Sequence, residues 1–96
     1  NYTKCFDYDK IIDKVFLRNR GSGDYLEINK NHGRKSLQDY LVNEKVPKDE
    51  RDRVILLACG SHILWVVGKR ISEYYKVTKE TKKVLKVQVC GGNIYE

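Results

Sequence analysis

Two apolar runs dominate the pattern of this chain. Val54-Ile55-Leu56-Leu57-Ala58 and Ile63-Leu64-Trp65-Val66-Val67 are continuous, with Cys59-Gly60-Ser61-His62 between them. Gly60-Ser61 suits a two-residue hairpin turn of the Gly-X type. In that register Cys59 faces His62 and Leu56 faces Trp65. Strands that are apolar on both sides belong at the centre of a sheet with both faces covered, and short helices are the expected cover. Trp65 and Tyr40 are assigned to the core.

Weaker signals fill in the rest. Tyr2 to Phe6 alternates as a strand does, and Asp7 can cap a short turn or helix over residues 8–12. Val15-Phe16-Leu17 reads as a strand running into Arg18. Asn19 to Asp24, with two glycines, is a turn where the backbone can take positive φ. Tyr25 to Ile28 resumes an extended segment, and Asn29 to Lys35 reads as a loop. Ser36 then caps a helix, with Asp39 three residues on. Leu37, Tyr40 and Leu41 share one face of it. Pro47 suits the first turn of a second helix, whose acidic start and basic end match the macrodipole. Gly68 breaks the second apolar run. Thr78 can cap a turn, Val84 to Val89 alternates as a last strand, and Gly91-Gly92 reads as the start of a frayed tail. This predicts an α+β domain: a small mixed or antiparallel sheet with a central hairpin, covered by two or three short helices.

Composition narrows the class. Ninety-six residues, with 41% hydrophobic and 33% charged, are the size and make-up of one globular domain, here 1–96. The chain opens on Asn1 and contains no Met, which reads as a piece cut from a longer protein. No apolar run reaches the ~18 residues of a membrane span, so no membrane partner is expected. Three cysteines, Cys5, Cys59 and Cys90, form no pairing framework and fit a cytoplasmic location, with one disulfide left open.

The net charge is +6, and its placement is informative. Residues 17–35 carry five basic residues against two acidic ones, and residues 69–86 carry seven against two. Residues 36–53 carry four against five. If the two basic segments share a face, that face attracts a polyanion. The alternative is a structural or protein-interaction domain with incidental positive charge.

Catalytic constellations are hard to find. Gly21-Ser22-Gly23 lies between extended segments with no lysine-serine pair after it, a poor match to a phosphate-binding loop. Cys59 and His62 have Cys-x-x-His spacing, but zinc needs two more ligands, and no carboxylate is in view to orient a nucleophile pair. They read as a small buried thiol and an exposed turn histidine. No catalytic, cofactor or metal residue is assigned in this chain. What remains is a set of cations: Arg18 and Arg20 at a strand end, Lys30, then Arg34 and Lys35 before the Ser36 helix, whose first N–H groups can join them around a phosphate. Lys45, and Lys69 with Arg70 after the hairpin, complete the candidate RNA-binding set. Asp24 and Asp39 are expected to orient arginines or cap turns.

Five motifs in order carry a resemblance. Leu17-Arg18-Asn19-Arg20 with Gly23-Asp24 is similar to an R-x-R-x-x-G-D turn. Gly33-Arg34-Lys35-Ser36-Leu37-Gln38-Asp39-Tyr40 is similar to G-x-K-K-L-K-D-[FY]. Lys45-Val46-Pro47 with Arg51-Asp52 resembles K-[IV]-P-x-x-x-R-[DE]. Residues Ile63 to Arg70 resemble I-x-W-V-x-G-x-R. Tyr75-Lys76-Val77-Thr78 with Thr81 matches [FY]-x-V-T-x-x-T. Together they resemble the C-terminal domain of bacterial tRNA(Ile)-lysidine synthetase, over about Val15 to Leu85.

The resemblance implies an α+β domain of a kind also found in the phenylalanyl-tRNA synthetase β chain. It implies a parent ligase that uses ATP, with magnesium, to adenylate the wobble cytidine of tRNA(Ile), after which lysine displaces AMP. The family's ATP-binding S-G-G-x-D-S loop lies in an N-terminal domain and is not in this chain. The implied role here is to hold tRNA(Ile) towards its acceptor stem. The implied partners are that tRNA and the parent's other domains, with a homodimer of the parent allowed. Two departures stand out. The family's R-R-P-G-D is Arg20-Gly21-Ser22-Gly23-Asp24, one arginine and the proline short. Ser36 and Gln38 stand where lysines are usual.

Overall fold

The hairpin at Gly60 organises the molecule, as a computed structural model describing residues 2–29, 31 and 33–90 shows. Strand β5 (Leu56–Cys59) runs into β6 (His62–Val66). Gly60 sits at φ 61°, a left-handed value that glycine adopts without steric cost. Cys59 pairs with His62. The expected Leu56–Trp65 pair does not form. A bulge shifts the ladder, so that Leu57 faces Trp65 and Leu56 faces Val66. Two β6 residues, Leu64 and Trp65, therefore turn to the same side, as an extra residue in a ladder requires.

Around this hairpin lies a five-stranded mixed sheet in the order β2-β5-β6-β3-β4, with β2 Phe16–Arg18, β3 Tyr25–Glu27 and β4 Arg34–Ser36. β3 runs parallel to β6, and the other pairs are antiparallel. β4 was expected to be loop. It forms because Asn29 Oδ1 accepts the N–H groups of Asn31 and Gly33, while Ile28 N–H reaches Gly33 O at 2.9 Å. That side-chain-built turn sends residues 34–36 back along β3. Lys30, His32 and residues 91–96, Gly91-Gly92 included, lie outside the described residues.

Each face of the sheet has its own core. On one side α1 (Leu37–Asn43) lays Leu37, Tyr40 and Leu41 against Leu26, Leu56, Ala58, Ile63 and Val66. Ser36 caps α1, its Oγ accepting Asp39 N–H at 3.0 Å. On the other side Phe6, Leu57, Cys59, Leu64, Trp65 and Tyr75 pack together. The cover here is a two-stranded ribbon of β1 (Tyr2–Asp7) and β7 (Val84–Val89), which contributes Phe6, Val87 and Val89.

This corrects the expected α+β class. The described residues form seven strands in two sheets and a single seven-residue α-helix. The other helical pieces, Tyr8–Lys10, Lys48–Arg53 and Glu73–Tyr75, are 3-10 turns. Each is too short to spread an apolar face over a sheet, and the turn after Pro47 buries none of its residues. Strand pairs with strand where helix cover was expected, and the fold is sheet-rich.

Candidate nucleic-acid interface

Arg18, Arg20 and Arg70 are tied into the protein. Arg18, at the end of β2, forks onto Asp24 with two 2.8 Å bonds and also donates to Gly60 O at 2.8 Å. Asp24 is buried and accepts Gly21 N–H as well. Its hydrogen bond to Arg18 raises the guanidinium pKa, with desolvation pulling the other way. The buried carboxylate thus orients Arg18 and shapes the Gly21-Ser22-Gly23 turn. Arg20 donates to Asp52 at 2.7 Å and to Gln38. Arg70 donates to Ile28 O at 3.0 Å and lies 3.5 Å from Glu73. The two-residue spacing of Arg18 and Arg20 therefore leads to two separate partners.

Other cations keep their donors. Among the described residues, Arg34, Lys35, Lys45 and Lys69 form no ion pair or side-chain hydrogen bond. Strand alternation places neighbours Arg34 and Lys35 on opposite faces of β4. At the start of α1, Leu37 N–H donates to Asp24 O and Asp39 N–H to Ser36 Oγ, so those amides already have acceptors. Lys45 and Lys69 meet across a cleft of about 440 Å³ that also holds Arg53, Glu44 and Glu50. Lys79, Lys82, Lys83 and Lys86 are exposed before and along β7. Lys30 is outside the described residues.

An aromatic stack lies on the ribbon side of the sheet. His62 stacks on Tyr25 at 4.7 Å and lies 4.7 Å from the Tyr75 ring and 5.4 Å from that of Tyr74. Two cations cap the rings: Arg34 is 4.3 Å from the Tyr25 centroid and Lys10 5.1 Å from that of Tyr74. His62, expected to be exposed, is half-buried, and its Nε2 lies 3.1 Å from Ser72 Oγ. Burial lowers its pKa. Glu27 pulls it up and Arg34 pushes it further down, both more weakly than burial acts. Burial likewise raises the Tyr75 phenol. Lys10 and Arg53 escaped the sequence reading. Lys10 sits beside Tyr74 only through folding, and Arg53 was absorbed into a helix-dipole argument.

The described residues hold no group of three or more His, Cys, Asp or Glu able to ligate a metal. The Gly21–Gly23 turn wraps a carboxylate, which would repel a phosphate. That turn is therefore no phosphate cradle.

The family model for the TilS substrate C-terminal domain matches residues 15–89. The chain belongs to this family. Among relatives, the tRNA(Ile)-lysidine synthase of Caldanaerobacter subterraneus subsp. tengcongensis is 44% identical over 87 residues, covering 91% of this chain and 19% of that protein. The one from Clostridium tetani is 42% identical over 90 residues, covering 94% and 19%. The chain thus spans about a fifth of the length of these relatives. A crystal structure of a TilS C-terminal domain superposes with a TM-score of 0.71 at 24% identity, over 88% of this chain and 65% of that one, a likeness of fold. None of the described helices is long and apolar enough to cross a membrane.

Proposed function

We propose that this family member is the tRNA-holding accessory domain of a longer, ATP-dependent ligase that joins lysine to the wobble cytidine of tRNA(Ile). Family membership over residues 15–89 carries the reading. On it, ATP and magnesium act in the parent's separate catalytic domain, and the protein works in the cytoplasm. This chain contacts the RNA backbone towards the acceptor stem, reading A-form shape more than sequence. Arg34, Lys35, Lys45 and Lys69 supply the contacts, with Arg53 in the cleft between Lys45 and Lys69. Lysines meet phosphates as point charges. Arg18, Arg20 and Arg70 hold the loops that present them. Lys30 belongs to the proposed set by its place between Arg20 and Arg34 in the sequence.

The test is fluorescence anisotropy of the 96-residue chain with an acceptor-stem minihelix of tRNA(Ile) across a salt series. Affinity should fall steeply with salt, and Lys35→Ala/Lys45→Ala/Lys69→Ala should reduce the log–log slope by about 3. A second reading has its own observation: Ile12, Phe16 and Leu17 expose apolar side chains at or near the edge strand β2, a surface suited to the parent's other domains. Absence of RNA binding at low salt would leave that reading in place of the first.

A further inference from the structure

We propose that the outer face of the Arg34 guanidinium, stacked on Tyr25, seats an unpaired nucleobase of the bound RNA. This rests on the RNA-holding reading above. Tyr75, His62, Tyr25 and Arg34 follow one another at 4.7, 4.7 and 4.3 Å. The His62 and Tyr25 planes lie within 29° of parallel. The series ends at Arg34, which is exposed.

Arg34 differs from its neighbours in how it is held. Arg18, Arg20, Arg51 and Arg70 are fixed by hydrogen bonds to protein acceptors. Arg34 instead lies over the Tyr25 ring, and its forked donors stay unspent. A phosphate contact needs charge and does not need a preset plane. A base needs the plane: in RNA recognition unstacked bases lie on aromatic rings or on guanidinium planes. A base within a duplex has both faces occupied, so the seat suits an unpaired or terminal one. Beneath it, a cavity of about 280 Å³ is lined by Tyr25, Arg34, His62 and Tyr74, with Lys10 and Ile12 also on its wall.

Two RNA hairpins test this. They share one stem, and one carries a single-stranded extension containing the fluorescent base 2-aminopurine. The chain should bind the extended RNA about tenfold more tightly than the blunt one, and 2-aminopurine emission should be quenched on binding. Arg34→Lys keeps the charge and loses the plane. It should abolish both the advantage and the quenching. Tyr25→Phe keeps the platform and should preserve both. Equal affinity of the wild-type chain for the two RNAs, or a full advantage retained by Arg34→Lys, would overturn the stacking seat and leave the backbone reading standing. No binding of either RNA at low salt would overturn both.

Discussion

Lys45 closes α1 in a conformation that most side chains avoid. Its φ is 60°. Lys45 N–H donates to Val42 O and Val46 N–H to Leu41 O, each at 3.0 Å. This is the double bond pattern of a Schellman stop, whose left-handed residue is usually glycine. Val46 and Leu41 then meet in the core, the apolar contact that accompanies such stops. A Cβ in this region costs about 1–2 kcal/mol, and glycine recovers part of that. Lys45→Gly should therefore stabilise the chain by roughly 0.5–1 kcal/mol, read as a higher urea midpoint. A midpoint at or below wild type would contradict the strain argument. The same variant should lower the salt slope of RNA binding, separating a lysine kept for its charge from one kept for its shape. The residue types of the candidate site were legible in the sequence. Their commitments were not, because Arg20 finds Asp52 and Gln38 only after distant segments meet.

At the scale of elements, the stack between β3, β6 and the Glu73–Tyr75 turn favours the neutral form of its histidine. The folded-state pKa of His62 lies below the usual 6.5, because burial penalises the charged ring. A lowered value means that the unfolded chain takes up the proton first. The stability that neutral His62 contributes is thus fully present above about pH 6.5 and is lost as pH falls through the folded-state value. Urea unfolding should show this loss in the wild-type chain, and His62→Gln should not share it. Identical pH dependence in both would remove His62 as the cause. Alternation and turn residues revealed the hairpin, β1, β7 and the Ser36 cap. They did not reveal β4, which depends on Asn29 curling back on its own loop. Nor did they reveal the bulge that moves Trp65 from Leu56 to Leu57, because an uninterrupted apolar run has no alternation to betray a slip.

For the whole molecule, what the sequence hid was which strands pair. β7 was legible as a strand, yet nothing local says that it leaves the main sheet to lie on β1. Its long-range partnership replaces the expected helical cover and turns an α+β reading into two sheets with a core between them. The direction of that pairing has a mechanical consequence. Tyr2 and Val89 face each other at one end of the antiparallel ribbon, and its hydrogen bonds run across the strands. Tension applied at those two positions loads the rungs one after another, like a zip, and never all together in shear. An optical-trap recording should show a small early extension at low force, with the five-stranded sheet still whole. At that moment Phe6 has been drawn away from Trp65, its ring neighbour at 6.0 Å. A machine that threads proteins by pulling on this chain would find its weakest seam first.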